Sequence, residues 1–351
     1  MLLAACAVLV AAAPAEARVP KQFFGMKNWA FHPSLKQFQR MAQGGIGTYR
    51  QDFLWSGVEA FKGLRNWTEY DSIVGDASRA GVAILPTLTS SPPWAAKSVN
   101  YPPKTRATKR AWLAFVRDAV RRYGRHGKFW TEHPEVPYRP ITAWQVWNEP
   151  SFPAYWFKHP NARQYAAFLY AAGRAIHKLD RRATVVMAGL PESKHGIPIA
   201  TYLTRLYRYP HIRSAFDVVA IHPYARGPAG VQGALIRVRA IMNRNHDTRV
   251  PIWLTEIGWA SKGPRNPFVT TRRGQAARLR DTYKLLLRVR HRYRVGMAVW
   301  FSLRDRALWP GERDWWAPHT GLFDVRGRPK PAWRSLVKVT GGRVGRGALA
   351  N

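Results

Sequence analysis

Residues 141–150 read ITAWQVWNEP, a mostly apolar run that ends in a short polar turn closed by a proline. Such a run is typical of a strand buried on both faces of a parallel sheet. Residues 161–179 follow with the 3.6-residue periodicity of an amphipathic helix. Because a buried strand followed by a helix is the building unit of α/β folds, this stretch predicts one such unit.

The same unit recurs along the whole chain, with short runs rich in Val, Ile and aromatic residues alternating with helical patterns. The predicted strands are 23–29, 47–55, 82–89, 141–147, 184–190, 216–224, 252–259 and 296–303, and the clearest helices are 106–123, 161–179, 199–207 and 271–293. Eight units predict a closed (β/α)8 TIM barrel, an α/β fold, as a single domain over residues 18–340. A doubly wound sheet is the alternative, but residues 24–29 lack the glycine-rich phosphate turn that such sheets usually carry after the first strand.

Residues 1–17 have the features of a secretory signal peptide. Their apolar run is too short to span a bilayer as a helix, and AEA at 15–17 fits a small-x-small cleavage site. Residues 3–6, LAAC, resemble a lipobox, although the apolar run continues beyond Cys6. Because Cys6 is the single cysteine, cleavage would leave no disulfide, thiolate metal site or cysteine nucleophile. We expect a secreted protein without a transmembrane segment, with a basic and flexible tail over 341–351.

The formal net charge of +36 is extreme for 351 residues. It predicts attraction to polyanions such as an acidic polysaccharide, an anionic wall polymer, a membrane surface or nucleic acid. Arginines occur along the whole chain rather than in one arm, so a general composition bias accounts for most of the charge and no specific nucleic-acid binding is expected. Association with the cell surface through this charge is an expectation that the sequence leaves open.

Two of the 20 acidic residues stand at the ends of predicted strands. Glu149 ends the fourth strand, and Glu256 lies near the end of the seventh, in PIWLTEIGW at 251–259. A barrel carries its active site at the C-terminal ends of its strands, and glycosidic bond cleavage needs two carboxyl groups that flank the anomeric carbon. The two glutamates are therefore predicted to share one cleft. The alternative is that each is a structural ion-pair partner of an arginine.

Motifs of other catalytic classes are missing from the sequence. There is no His-x-His pair, no His-Glu-x-x-His, no acidic calcium loop and no Gly-x-Ser-x-Gly elbow. We therefore expect chemistry that uses neither a metal nor another cofactor.

The two glutamate motifs resemble those of a known group of enzymes. WNEP at 147–150 resembles the acid/base motif of glycoside hydrolase clan A, and TEIGW at 255–259 resembles the nucleophile motif of the same clan. The resemblance spans residues 24–333 and is nearest to family 39 and family 5-like members. It implies a retaining hydrolase of β-glycosidic bonds, with Glu149 as acid/base and Glu256 as nucleophile.

The resemblance also implies roles for residues around the pair. Arg50 is similar to the arginine that holds the nucleophile ionised, and Asn148 to the donor for the sugar 2-hydroxyl. His222 and Tyr224 resemble a His-x-Tyr motif whose tyrosine donates a hydrogen bond to the nucleophile. Trp300 is similar to the tryptophan that forms a platform under the sugar at the cleavage point.

Position alone adds further candidates for binding a poly- or oligosaccharide. These lie near predicted strand ends or in the following loops, and they are Asn28, Trp29, Trp94, Trp259 and Trp309. The Trp-rich loop 309–316 is predicted to form one wall of an open cleft, which favours endo action on a chain by a monomeric enzyme. An acidic exopolysaccharide substrate and transglycosylation stay open, as does a non-catalytic glycan- or polyanion-binding barrel.

Overall fold

The computed structural model describes residues 19–29, 32–192 and 195–349. The predicted signal peptide and Cys6 lie outside these residues, as does the end of the predicted tail, 350–351. Within the described chain, one sheet holds nine strands whose pairings are all parallel. They are β1 Phe24–Lys27, β2 Thr48–Leu54, β3 Ala83–Thr89, β4 Ala143–Val146, β5 Thr184–Met187, β6 Leu190–Pro191, β7 Val219–His222, β8 Ile252–Ile257 and β9 Val295–Phe301.

The sheet closes on itself through β5 and β6. The strand order is β5-β4-β3-β2-β1-β9-β8-β7-β6, and only Ala188 and Gly189 separate the two end strands in sequence. A parallel bridge between Val186 and Val218 joins β5 to the segment before β7. Since β5 and β6 are two parts of one barrel strand, the sheet is an eight-stranded barrel and β8 is its seventh strand. The predicted TIM barrel is confirmed.

Helices surround the barrel. They are α1 Leu35–Gln43, α2 Trp55–Val58, α3 Thr68–Arg79, α4 Arg106–Tyr123, α5 Lys128–Glu132, α6 Ala162–Leu179, α7 Ile199–Tyr207, α8 Pro228–Arg244, α9 Arg272–Tyr293 and α10 Pro331–Thr340. The helices predicted at 106–123, 161–179, 199–207 and 271–293 agree with α4, α6, α7 and α9, because their apolar stripes pack on the strands. None of the described helices is both long enough and apolar enough to cross a membrane.

The described part of the predicted tail, residues 341–349, contains no helix or strand but makes contacts with the barrel. Arg40, buried on α1, donates to the carbonyl groups of Val344, Arg346 and Gly347. Leu349 is buried and its N–H donates to the carbonyl of Gly327 at 2.7 Å. The flexibility of the tail stays a prediction, and the sequence could not indicate these contacts, because nothing in it distinguishes Arg40 from the many surface arginines.

Candidate active site

Glu149 is placed by a distorted turn directly after β4. Trp147 and Glu149 have positive φ values of 72° and 44°, a left-handed conformation that is costly for residues other than glycine. The turn is held by the Trp147 indole, whose Nε1–H donates to the carbonyl of Tyr155 at 2.7 Å, and by the Phe152 N–H, which donates to the carbonyl of Glu149 at 2.9 Å. These two hydrogen bonds hold the strained turn and so fix the direction in which the Glu149 side chain points.

Glu256 lies on β8 and is held at both carboxylate oxygens. Arg50 of β2 donates from Nη1 to Oε1 at 2.5 Å, and Tyr224 donates from its hydroxyl to Oε2 at 2.7 Å. Arg50 is fully buried, and its Nη2 donates to the Oδ1 atom of Asn148 at 2.8 Å. Because Oδ1 accepts from Arg50, the Asn148 amide is oriented with its Nδ2 hydrogens available to a ligand.

The two glutamates share one small space with His222 of β7. Each of the three contributes an atom, a carboxylate oxygen or a ring nitrogen, and these atoms lie within 4.8 Å of one another. The Nδ1 atom of His222 is 2.7 Å from Oε1 of Glu149 and 3.8 Å from Oε2 of Glu256. The nearest oxygens of the two carboxylates are therefore at most 4.8 Å apart, which fits the about 5–5.5 Å separation of retaining glycosidases better than the about 6.5–9.5 Å of inverting ones.

A buried polar chain joins these side chains under the pocket. The Nε2 atom of His222 lies 3.0 Å from Oγ1 of Thr255, and Gln145 donates to the same hydroxyl at 3.2 Å. Gln145 in turn accepts from Nε of Arg50 at 2.6 Å. The chain connects the groups that touch Glu149 with those that touch Glu256 and holds both sets in one arrangement.

Gly189, in the gap between β5 and β6, leaves room for the His222 ring. A Cβ atom there would lie 2.0 Å from Nε2 and 2.4 Å from Cδ2 of His222. We expect Gly189→Ala to displace the imidazole from Glu149 and to lower kcat/KM by roughly 10- to 100-fold. Steady-state kinetics measures the loss, and far-UV circular dichroism reports whether the barrel is retained.

Gly227→Ala is the matched control for this substitution, because nothing lies within 4 Å of the Cβ position there. Activity of Gly189→Ala equal to that of Gly227→Ala would show that His222 can move without consequence for the reaction.

The charge on Glu256 is set by opposing effects. Burial would raise the pKa of its carboxyl, but its electrostatic interactions with His222, Arg50 and Lys27, together with the Tyr224 hydrogen bond, lower that pKa from 4.5 to about 2. Burial and the adjacent Glu256 also raise the pKa of Tyr224, so its hydroxyl stays a donor at neutral pH. Glu256 is therefore an ionised carboxylate at every pH at which such an enzyme would ordinarily work.

This pKa shift predicts a pH dependence of stability. The folded state favours the ionised form of Glu256, so its contribution is complete above pH 4.5 and is lost as the pH falls towards about 2. We expect the difference in unfolding free energy between wild type and Glu256→Gln to shrink over that window. Urea unfolding between about pH 2 and pH 6 measures it, and a difference that is independent of pH would contradict the shifted pKa.

Three further side chains lie at the site that the sequence did not single out. Lys27 of β1 is the register partner of Arg50 and donates from Nζ to Asp52 at 2.7 Å, while the Asp52 carboxylate stays 36% exposed. Tyr155, after β4, is close enough for Glu149 and Glu256 to raise its pKa, although its burial is the larger cause. Asp52 lies two residues beyond Arg50 on the same strand, so both side chains point to the same face of the sheet. This alternation was the one feature of the sequence that could have indicated Asp52 as a site residue.

Aromatic rings from the loop after β9 stand beside the pair, as the Trp-rich sequence predicts. The Trp316 ring lies 4.9 Å from the Tyr224 ring, and Trp315 contacts both Trp316 and Trp29. Trp309 is 59% exposed, with the Arg306 guanidinium 3.7 Å from its ring centroid. This loop therefore offers an aromatic surface next to the group that holds Glu256.

Other position-based candidates are further from the glutamates or more buried. Asn28 follows β1 and accepts from the Arg304 N–H at 3.4 Å. Trp94 donates to the carbonyl of Glu59 and packs on Trp55. Trp259 is buried and donates to the carbonyl of Ala225, which does not suit a sugar-stacking residue.

The structure corrects the role of Trp300. Its side chain is fully buried, and its Nε1–H donates to the carbonyl of Thr320, which also accepts from Gln275 of helix α9. Trp300 therefore faces the helices and cannot form a platform under a sugar. Neighbouring residues of a strand point to opposite faces, and it is the next residue, Phe301, whose ring lies 5.0 Å from that of Trp29.

Among the described residues, one group has ligand atoms close enough together to hold a metal ion. It consists of Glu149, His222 and Glu256. However, both oxygens of Glu256 already accept hydrogen bonds, from Arg50 and from Tyr224. A divalent cation would have to share these oxygens with the two donors and to sit beside the Arg50 charge. The arrangement therefore fits a carboxylate pair better than a metal centre.

We expect treatment with EDTA to leave the activity of this site unchanged within experimental error. The measurement is the turnover rate before and after dialysis against the chelator, and again after addition of Zn²⁺, Mn²⁺ or Ca²⁺. A loss on chelation that one of these ions restores would assign the three residues to a metal instead.

Comparisons with known proteins agree with the architecture. No family model matches the sequence and no curated protein matches it. Among solved structures, a family 39 glycoside hydrolase from Bacteroides cellulosilyticus WH2 is similar at a TM-score of 0.68 and 20% identity, over 92% of this chain and 64% of that one. This chain thus spans just under two thirds of the length of that protein.

Two other solved structures give the same result. A monomeric β-xylosidase from Caulobacter crescentus CB15 has a TM-score of 0.67 and 19% identity over 92% of this chain and 69% of its own. A thermostable mutant of a xylanase from Cellvibrio japonicus has a TM-score of 0.64 and 16% identity over 91% and 97%. At such identities the likeness establishes a shared fold, that of (β/α)8 glycosidases.

Proposed function

We propose that this protein is a retaining glycoside hydrolase that cleaves β-glycosidic bonds by double displacement. The observation that carries the proposal is the pair Glu149 and Glu256, which meet within 4.8 Å at the C-terminal end of the barrel although they are far apart in sequence. The solved structures of the same fold are described as hydrolases of β-glycosides, among them the xylosidase and the xylanase. They support the reaction class without identifying the sugar.

In the first step, Glu149 donates a proton to the glycosidic oxygen while Glu256 attacks the anomeric carbon. The bond to the leaving sugar breaks, and an ester forms between the sugar and Glu256. His222, with a proton on Nδ1, donates to Oε1 of Glu149, which leaves Oε2 to carry the proton that is transferred. Arg50 and Tyr224 keep Glu256 ionised and aim it.

In the second step, Glu149, now a carboxylate, removes a proton from an incoming water molecule. The water oxygen attacks the anomeric carbon from the side that the leaving group vacated, and Glu256 departs as a carboxylate. Two inversions give net retention of configuration. The Nδ2 hydrogens of Asn148 are placed to bind the sugar 2-hydroxyl, a contact that strengthens in the transition state.

We propose a poly- or oligosaccharide substrate, cut by endo action. The aromatic rings of Trp315, Trp316 and Tyr155 near the pair suit the flat faces of sugars, and the half-exposed Asp52 can accept hydrogen bonds from sugar hydroxyls. Secretion of a monomer, by way of the predicted signal peptide 1–17, belongs to the same proposal.

A panel of aryl β-glycosides and polysaccharides tests the proposal. Purified wild type is compared with Glu256→Gln for release of reducing ends. Turnover of at least one substrate by wild type, lost in the variant, supports the hydrolase. Binding of a polysaccharide without turnover, equal in the two proteins, would support the alternative of a non-catalytic glycan-binding barrel.

A further inference from the structure

A second concave surface lies on the outside of the barrel, between helices α4 and α6. This α4–α6 groove has a volume of about 1260 Å³ and is bounded by the loops that follow β3 and β4. A smaller pocket of about 450 Å³ continues it towards α7, since Asn161, Arg163 and Tyr209 line both. The groove exceeds the usual roughly 300–1,000 Å³ of small-molecule pockets and suits a stretch of polymer.

The α4–α6 groove is lined by cations and by no carboxylate. The groove is lined by Lys97, Lys104, Lys109, Lys158 and Arg163. The adjoining pocket is lined by Arg205 and Arg208. Neither lining contains an Asp or a Glu.

These cations are also unpaired within the described part of the chain, where none of them forms an ion pair with a carboxylate. Elsewhere the scarce acidic residues are used to pair arginines, as Asp71 pairs Arg122 and Glu312 pairs Arg306. The groove therefore concentrates positive charge that the fold itself does not neutralise.

Aromatic faces lie among these cations. Tyr101, Phe157 and Tyr209 are half-buried in the groove walls. The Tyr101 and Phe157 rings are 5.5 Å apart, and Lys104 Nζ lies 4.3 Å from the Phe157 ring centroid. Apolar ring faces bordered by ammonium groups match a sugar ring that carries a carboxylate, whereas a simple inorganic polyanion would need only the cations.

One loop separates the groove from the catalytic pair. Tyr155 on that loop is close enough to Glu149 and Glu256 to feel their charges, while the next residues, Trp156 and Phe157, line the groove. A polymer held in the groove is therefore kept at the rim of the catalytic cleft without entering it.

We propose that the α4–α6 groove is a non-catalytic binding site for a strand of anionic polysaccharide, of the polyuronate type. The lysines and arginines bind its carboxylates, and Tyr101 and Phe157 contact its sugar rings. The site goes beyond the proposed hydrolase activity, because it binds polymer whether or not the bond at the catalytic pair is cleaved.

The test compares two charge-reversed variants of the full chain. The groove variant is K104E/K158E/R163E. The control variant, K284E/R288E/K338E, makes the same charge change at exposed positions on α9 and α10. Binding to polygalacturonate and to neutral dextran is measured by isothermal titration calorimetry at several salt concentrations. We expect the groove variant to bind polygalacturonate at least about 10-fold more weakly, with a smaller salt dependence, and the control to bind within about twofold of wild type.

Equal weakening by both variants would overturn the proposal, since binding would then reflect net charge alone. Equal wild-type affinity for dextran, or no affinity for polygalacturonate, would overturn it as well. F157A adds a second criterion: we expect weaker binding to polygalacturonate but unchanged binding to inorganic polyphosphate. These readouts measure no catalysis, so they stay informative if the protein proves not to be a hydrolase.

Discussion

Replacing Glu256 by Gln is expected to lower kcat by roughly 10⁴-fold or more on any substrate that wild type hydrolyses. The amide has nearly the shape of the carboxylate but cannot form the glycosyl ester. It also removes the negative charge that Arg50 and Tyr224 surround, which would otherwise stabilise the positive charge that develops at the anomeric carbon in the transition state. Initial rates on an aryl glycoside and on the polymeric substrate measure the effect.

Glu135→Gln is the matched control, since Glu135 is an exposed glutamate whose ion pairs within the described residues are those with Arg79 and His133. It should retain wild-type rates. A Glu256→Gln variant with more than about one tenth of wild-type kcat would be incompatible with nucleophilic catalysis by this residue.

Replacing Glu149 by Ala is expected to produce a loss that depends on the leaving group. A sugar leaving group needs the proton from Glu149, so kcat/KM on the polymer should fall by roughly 10²- to 10⁴-fold. Glycosides of acidic phenols leave without protonation, and their glycosylation step should be nearly unchanged. Rates across a series of aryl glycosides of graded phenol pKa measure this difference.

Azide provides the second criterion for Glu149. In Glu149→Ala the glycosyl ester accumulates because no base activates water, and azide, which needs no base, should restore turnover and give the β-glycosyl azide. A uniform loss across all leaving groups, without rescue by azide, would mean that Glu149 is structural.

Much of the fold could be predicted because each β/α unit is encoded locally. Each apolar run and each 3.6-residue pattern can be recognised from its own stretch of sequence. The structure accordingly places α4 and α7 at the predicted bounds. The break between β5 and β6 could not be predicted, because it depends on the His222 ring occupying the space beside Gly189. That is a contact between distant parts of the chain.

In the candidate site, too, locally encoded features could be predicted, whereas contacts between distant parts of the chain could not. Glu149 and Glu256 stand out because an acid in apolar sequence at a strand end is costly unless it is used. The sequence does not single out Lys27 or Tyr155. Their proximity to the two glutamates depends on the register of β1 with β2 and on the path of the loop after β4. Trp300 was misplaced by a single step of strand alternation, and the contacts of the tail with Arg40 could not be predicted because Arg40 is buried only in the folded molecule.

Proton NMR of the first product, recorded before mutarotation, tests most directly whether two carboxyl groups at this distance act by double displacement. We expect the newly released reducing sugar to appear first as the β-anomer and to equilibrate to the α-anomer only later. Initial release of the α-anomer from a β-linked substrate would require water to attack directly, and it would contradict Glu256 as the nucleophile.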